Sequence, residues 1–437
     1  MSTLLSKIYE HFRKFRHITT DSRNVKEGSI FFALKGEKYD GNLYANEALN
    51  KGASLAVIDN IDFFIENKTI FVEDSLKMLQ QLASFHRKQL GIPVIGITGS
   101  NGKTTTKELI ARVLESHYRT HFTKGNLNNH IGVPLTILEI KESDEIALIE
   151  MGANHVGEIK LLCQIADPTH GIITNIGRAH LEGFGSYEGV IEAKGELFDY
   201  LEEKSGVAFL NVNEPTLALV QNKISKKVLL GTSKNEGIYL SADLDKASKD
   251  TPLAFLEVTF KGDDGSETKI QTQLYGEYNF NNILYAIAVG KYFKVPSTKI
   301  SDAISSYSPN NGRSHIMYKD TNIIVLDCYN ANPSSMKIAL NELSTVQNKQ
   351  KIAIIGDMFE LGSYSELEHK NVLEIAKNTK IDKIVTVGKA FGVVTSSDVE
   401  HYDDVIEMKN KFDFSTISNA VILVKGSRGM QLEKLFG

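Results

Sequence analysis

The segment Val94-Ile95-Gly96-Ile97-Thr98-Gly99-Ser100-Asn101-Gly102-Lys103-Thr104-Thr105 runs an apolar stretch into a glycine-rich turn that ends in Gly-Lys-Thr. A helix should open there, because Leu109, Ile110, Val113 and Leu114 recur with helical spacing. A strand, a turn and a helix in this order make a phosphate cradle. Glycine lets backbone N–H groups face an anion, and the helix N-terminus adds its dipole. Residues Gly99, Ser100, Asn101, Gly102, Lys103, Thr104 and Thr105 are thus expected to hold a nucleoside triphosphate. Lys103 can reach the outer phosphates, and the Thr104 hydroxyl suits Mg²⁺. The general pattern asks for glycine where Ile97 stands; the nearest glycines are Gly96 and Gly99. A turn that binds nothing is the bland alternative, and the flanking strand and helix weigh against it.

Other residues join this one by position. Glu150 follows the apolar run 145–149 and is placed to hold a Mg²⁺ that bridges phosphates. His180 lies past the next apolar run, 171–174, as a surface residue or as a metal or phosphate ligand. Lys194 stands between glutamates in a helical stretch, which reads as a solvated, salt-bridging face. The loop Gly125-Asn126-Leu127-Asn128-Asn129-His130-Ile131-Gly132 is dense in amides, which both donate and accept. It suits a sugar or peptide, or is a capped turn. Asp21-Ser22-Arg23, with Lys35-Gly36 and Asp40-Gly41, could take a diphosphate or form a set of turns.

The elements that must position these groups alternate. Strands are expected at 29–34 and 53–58 and a helix at 76–90, before the break Gly91-Ile92-Pro93. A central α/β part follows, in which ligands belong at the carboxyl ends of parallel strands. Over 207–274 short strand-like runs dominate, and 305–312, with Pro309 and two asparagines, looks like a linker. Strands at 323–326, 351–355, 383–387 and 420–424 imply a second open α/β sheet with functional loops on one edge. The expected division is 1–91, 92–310 and 311–437.

The chain has 437 residues, enough for about three domains. A net charge of -5 makes bulk attraction to nucleic acid an improbable basis for function, so any anionic ligand needs local groups. Cys163 and Cys328 lie in or beside apolar runs and read as reduced, buried thiols. Residues 1–20 are polar and basic, without a signal-peptide apolar core, and no stretch is long and apolar enough to span a membrane. A cytoplasmic enzyme without nucleic-acid or membrane partners is the expectation.

Together the motifs resemble the Mur ligases of peptidoglycan synthesis over essentially the whole chain. Thr98-Gly99-Ser100-Asn101-Gly102-Lys103-Thr104 is similar to that family's ATP loop, which accounts for Ile97. Glu150, His180, Asn282 and Arg313 fall on its defining positions. The resemblance narrows to the branch that adds D-alanyl-D-alanine. It rests on Thr20-Asp21-Ser22-Arg23, Asp327-Cys328-Tyr329-Asn330-Ala331-Asn332-Pro333, Gly356-Asp357-Met358-Phe359-Glu360-Leu361-Gly362 and Lys425-Gly426-Ser427-Arg428-Gly429. The Asp-Asn/Asp-Pro-Arg motif of the diaminopimelate-adding relative is absent. In Gly276-Glu277-Tyr278-Asn279-Phe280-Asn281-Asn282, Tyr278 stands where the family carries histidine.

The resemblance implies three domains: a small α/β UDP-binding domain, a central P-loop-type parallel-sheet ATPase domain and a C-terminal Rossmann-like domain. It implies ATP-dependent amide ligation of D-alanyl-D-alanine to UDP-N-acetylmuramoyl-tripeptide through an acyl phosphate. Two Mg²⁺ ions are implied, one on Thr104 and Glu150, the other on His180 and a CO₂-derived carbamate of Lys194. Lys103, Lys194, His180 and Arg313 would be catalytic. Arg313 and Asp327 would meet phosphates and ribose, and Asn279 and Asn282 the base. Ser22, Arg23, Lys35 and Gly36 would anchor UDP, and Asn126, Asn128 and Asn129 would line the muramoyl-peptide path. Asn330, Lys425, Ser427 and Arg428 would place the dipeptide. A monomer is expected, with domain closure on ligands. A folylpoly-γ-glutamate synthase is the rival enzyme, against which the Asp21–Arg23 segment argues. A non-catalytic nucleotide switch is the rival of another class.

Overall fold

Apolar runs dense in Val and Ile become strands buried on both faces. Every residue of Val94–Thr98, Ile146–Glu150 and Ala420–Lys425 is buried, as parallel strands covered by helices must be. The computed structural model describes residues 3–233, 238–245, 253, 255–262, 264–309 and 312–436. Its α/β class is the one expected. Asn310 and Asn311 of the expected linker lie outside the described residues.

Three larger sheets are found among the described residues. The first is parallel, in the order Ile18–Thr19, Ile30–Phe32, Leu55–Ile58, Thr69–Phe71. Helix Ser75–Gln89, capped by Asp74, leads out of it. The second runs Glu267–Tyr275, Phe255–Lys261, Leu240–Asp245, Lys227–Gly231, Val207–Asn211, His170–Ile173, Val94–Thr98, Ile146–Glu150, Thr120–Phe122. Glu267–Tyr275, Phe255–Lys261 and Leu240–Asp245 pair antiparallel, and the rest pair parallel. The third runs His315–Lys319, Asn322–Asp327, Ala420–Lys425, Gln350–Gly356, Lys383–Val387, Glu400–Tyr402, with only His315–Lys319 antiparallel.

Alternate residues of the central sheet feed opposite cores. Val94, Ala147 and Ile149 join Val133, Leu162 and Leu197 on one face. Ile95, Ile97 and Leu148 join Leu109, Val113 and Ile287 on the other. The first cluster continues through Leu79, Leu82 and Ile137 to Phe32, so the first sheet is welded to the second by apolar contact. Arg87 adds polar stitches, donating to the Ala166 and Asp167 carbonyls.

Three details depart from the sequence reading. Glu150 is the last residue of its strand, not the residue after it. The polar, basic start folds as helix Thr3–Phe15, anchored by buried Ile8 and Phe12 one turn apart. Strands His315–Lys319 and Glu400–Tyr402 close the two edges of the third sheet. The expected carboxyl-end loops are aligned: parallel pairing of Asn322–Asp327, Ala420–Lys425 and Gln350–Gly356 puts their exits on one edge.

Candidate active site

The phosphate loop begins where strand Val94–Thr98 ends and closes at the N-terminus of helix Lys103–Glu115. Gly102 sits at the N-cap with φ +79°, and a Cβ there would meet Asn282 Oδ1 at 2.7 Å. At Gly99, φ is +139° and a Cβ would fall 2.0 Å from Thr174 Oγ1. Only glycine fits such positions. Asn175 clamps the turn, accepting from Asn101 N at 3.0 Å and donating to Asn101 O at 3.0 Å. Lys103 Nζ folds over the loop, donating to Gly99 O at 2.6 Å and Ser100 O at 3.1 Å. Burial lowers its pKa; the Glu150 charge opposes this and the Arg313 charge adds to it.

Glu150 is 2 % exposed and stands against the first turns of that helix. Its Oε1 accepts from Thr104 Oγ1 at 3.1 Å and from Asn128 Nδ2 at 2.9 Å. Its Oε2 accepts no hydrogen bond and faces Lys107 Nζ at 3.2 Å in a buried ion pair. A buried carboxylate oxygen without a hydrogen bond, next to a hydroxyl at an anion-binding helix end, is a fitting donor set for Mg²⁺. That ion keeps phosphate oxygens and water and needs only one or two protein carboxylates. Among the described residues there is no group of three or more His, Cys, Asp or Glu placed to hold a metal ion.

Lys194 overturns its reading as a solvated face. It lies in helix Tyr187–Glu203 and is 2 % exposed. Its Nζ stands 5.1 Å from the centre of the Phe184 ring. Burial first, then the Lys103 charge, push its pKa down to about 7. Its surroundings thus favour the neutral amine over the cation. His180 also packs on Phe184, with ring centres 6.4 Å apart. Its Nδ1 stands against Glu360 Oε2, contributed by the third sheet's loop.

A cavity of about 630 Å³ joins the phosphate loop, Glu150 and His180, while Lys194 is not among its lining residues. From the central part it is lined by Ser100 to Thr105, Asn126, Asn128, Asn129, Glu150, His180, Asn279 and Asn282. From the last part it is lined by Arg313, Asp327, Asn330, Glu360 and Lys425. Arg313 stacks on Tyr329, 3.5 Å from the ring centre. Asp327 ends its strand and takes Lys425 Nζ at 2.5 Å. Asn279 and Asn282 bond to each other at 2.8 Å, and Thr106 Oγ1 donates to Asn282 at 2.9 Å. Asn129 Oδ1 accepts from Ile131 N and Gly132 N in the turn that leads into helix Gly132–Glu139, so the amide loop is both turn and cavity wall. Tyr278 turns its hydroxyl to Ser314 Oγ at 2.5 Å, bridging the central and last parts.

Other candidates stand outside the cavity lining. Ser427 is buried and accepts from Phe359 N at 2.9 Å. Arg428 lies over Tyr329, 4.9 Å from the ring centre. Ser22, Arg23, Lys35 and Gly36 belong to the first sheet's surroundings. Arg23 pairs with Asp21 at 2.8 Å, and Lys35 with Asp59 at 2.9 Å. Sequence reasoning missed Lys107, one helical turn beyond Lys103, and Asn332, whose Nδ2 reaches Asn101 Oδ1 at 2.8 Å. Lys107's apolar-face spacing and the Asn-Pro start of helix Pro333–Thr345 were the available signals.

Three family models match: the Mur ligase family catalytic domain over residues 14–87, the Mur ligase middle domain over 97–290 and the Mur ligase glutamate ligase domain over 312–428. The chain belongs to the Mur ligase family. It is 36% identical to the UDP-N-acetylmuramoyl-tripeptide--D-alanyl-D-alanine ligase of Bacillus subtilis (strain 168), over 96% of this chain and 92% of the relative. Its identity to the Escherichia coli (strain K12) protein of the same name is 33%, with the same coverage. The crystal structure of MurF from Acinetobacter baumannii superposes with a TM-score of 0.85 at 29% identity, covering 96% of this chain and 92% of the other. MurF ligase from Thermotoga maritima in complex with ADP gives 0.83 at 26%, covering 100% and 97%.

Proposed function

We propose that this protein joins D-alanyl-D-alanine to UDP-N-acetylmuramoyl-tripeptide at the expense of ATP, forming ADP, phosphate and the UDP-pentapeptide of peptidoglycan synthesis. The observation that carries this reading is the meeting, in one cavity, of a phosphate loop with Glu150 and His180 on one side and Arg313, Asp327, Asn330 and Lys425 on the other. Likeness to the Bacillus and Escherichia ligases over nearly full length supports the substrates.

The chemistry has two steps. The tripeptide carboxylate attacks the γ-phosphorus of ATP, ADP departs and an acyl phosphate forms. The dipeptide's ammonium group first loses a proton to solvent; the free amine then attacks the acyl carbon, the C–O bond to phosphate breaks, the second N–H proton leaves with the departing phosphate and the amide remains. Lys103 and the loop N–H groups steady the transferring phosphoryl group. Arg313 brings a second positive charge from the other part, and Asp327 suits the ribose. Asn279 and Asn282 line the base site, while Ser22, Arg23, Lys35 and Gly36 anchor UDP. Asn126, Asn128 and Asn129 border the muramoyl-peptide path, and Asn330, Lys425, Ser427 and Arg428 shape the dipeptide end. Thr104 and Glu150 would hold one Mg²⁺; His180 and Lys194, carrying a CO₂-derived carbamate, would hold a second. The ions supply the positive charge that lets two anions meet in the first step.

The working units are 1–91, 92–310 and 311–437, in a cytoplasmic monomer acting on small molecules. Both cysteines are free and buried, and among the described residues no helix is long and apolar enough to cross a membrane. The test is phosphate release from ATP and Mg²⁺ with the UDP-tripeptide and the dipeptide supplied separately and together. Release that needs both, with a UDP-pentapeptide by mass, is expected. Release indifferent to the dipeptide would overturn the choice of acceptor.

A further inference from the structure

The incoming dipeptide arrives with an ammonium group, and no residue has yet been given the task of receiving it. Five carboxylates line the cavity: Glu150, Glu158, Glu214, Asp327 and Glu360. Four are held by their own surroundings. Glu150 takes Thr104, Asn128 and Lys107. Glu158 accepts from Asn154 N at 2.7 Å and His155 N at 3.2 Å. Glu214 takes the Thr216 hydroxyl at 2.8 Å, and Asp327 takes Lys425 at 2.5 Å.

Glu360 differs. Its side chain is 52 % exposed, and it stands against His180 of the central part rather than against its own sheet's residues. Its backbone adopts φ +62°, a costly conformation for a residue with a side chain. Its carbonyl accepts from Glu182 N at 3.2 Å, which holds the loop against the central part. An anion is therefore presented to the cavity from the same loop edge that carries Asn330 and Lys425. Its neighbour, His180, marks where carboxylate activation would occur.

We propose that Glu360 is the anionic anchor for the dipeptide's ammonium group, placing the amine beside the activated carboxyl carbon. The assignment rests on the ligase reading above. It makes Glu360 a determinant of acceptor choice: a charged amine should depend on it, and an uncharged nucleophile should not.

Hydroxylamine, uncharged at neutral pH, tests this. It attacks an acyl phosphate through nitrogen, expels phosphate and leaves a hydroxamate. Wild-type protein, Glu360→Gln and Glu360→Asp would be compared with dipeptide and with hydroxylamine as acceptor, folding being checked by thermal melting. For Glu360→Gln, KM for the dipeptide should rise about 10- to 100-fold, the range for losing a charged hydrogen bond. KM for ATP and the yield of UDP-tripeptide hydroxamate should stay within about twofold of wild type. Glu360→Asp should recover part of the dipeptide affinity. Equal losses with both acceptors would mean that Glu360 merely holds His180, and would overturn the assignment. Unchanged dipeptide KM would overturn it too. Wild-type protein that makes neither pentapeptide nor hydroxamate would instead overturn the ligase reading.

Discussion

Lys194 shows how far a residue's surroundings can change its chemistry. Its neighbours in sequence, Glu192 and Glu196, point to a solvated ion pair, yet the helix turns it inward against Phe184. With the pKa near 7, about a tenth of the amine is neutral at pH 6 and about nine tenths at pH 8. At fixed dissolved CO₂, reactivation of CO₂-stripped enzyme should therefore gain several-fold from pH 6 to pH 8, followed by ligase rate. Lys194→Arg, which cannot lose its proton, should lower kcat by at least about 100-fold. The sign for stability is also fixed. The unfolded chain, with a lysine pKa of about 10.4, binds more protons than the folded one between pH 7 and 10, so this group makes stability rise with pH there. Urea midpoints of Lys194→Met should lose that part of the slope. Thr104 is a simpler case. Thr104→Val keeps the shape but removes the hydroxyl that meets Glu150 at 3.1 Å. A kcat loss of about 100-fold and a higher Mg²⁺ requirement are expected, with the melting temperature nearly unchanged.

At the scale of elements, the phosphate loop is the part most legible from sequence. The strand, the turn glycines and the apolar face of the helix are local patterns, and all appear where the residues place them. What holds the loop is remote. Asn175, Thr174 and Asn282 come from other segments, and Asn282 is a further 180 residues along the chain from Gly102. Gly102→Ala combines a positive φ with a 2.7 Å clash, so a stability loss of at least about 1–2 kcal/mol is expected in chemical denaturation, with weakened nucleotide binding by calorimetry. Helix Thr3–Phe15 and the edge strands were not read from the sequence, for different reasons. The two edges are short and half-exposed, so they carry weak periodicity and gain their stability from packing, whereas the helix has a clear apolar period in Leu5, Ile8, Phe12 and Phe15 that its polar, basic composition masks.

Across the whole molecule, the central and last parts meet through a set of polar contacts and a small apolar seam, in which Leu253 and Tyr275 join the cluster of Ile323 and Val325. Arg178 Nη1 meets Glu368 at 3.0 Å, Asn332 meets Asn101 at 2.8 Å, and Tyr278 meets Ser314 at 2.5 Å. The first sheet, by contrast, shares a continuous apolar cluster with the central one. A mixed joint with so small an apolar share opens more readily than a continuous apolar weld. Small-angle scattering should show a smaller radius of gyration when a non-hydrolysable ATP analogue and the UDP-tripeptide are both present. Arg178→Ala with Asn332→Ala should enlarge the unliganded particle; an unchanged radius in both experiments would contradict a moving last part.

The sequence by itself determined the α/β class, the alternation of strands and helices in the central and last parts, the phosphate loop and the three loops on one edge of the last sheet. These follow from local periodicity and turn chemistry, which neighbouring residues express without help. Only the tertiary structure decided that Lys194 is buried, that Lys107 pairs with Glu150, that Tyr278 reaches Ser314 and that Glu360 faces His180. Each of these depends on segments distant in the chain being brought within a few ångströms. Burial and pairing, unlike helical or strand spacing, leave no local periodic trace for a sequence reading to find.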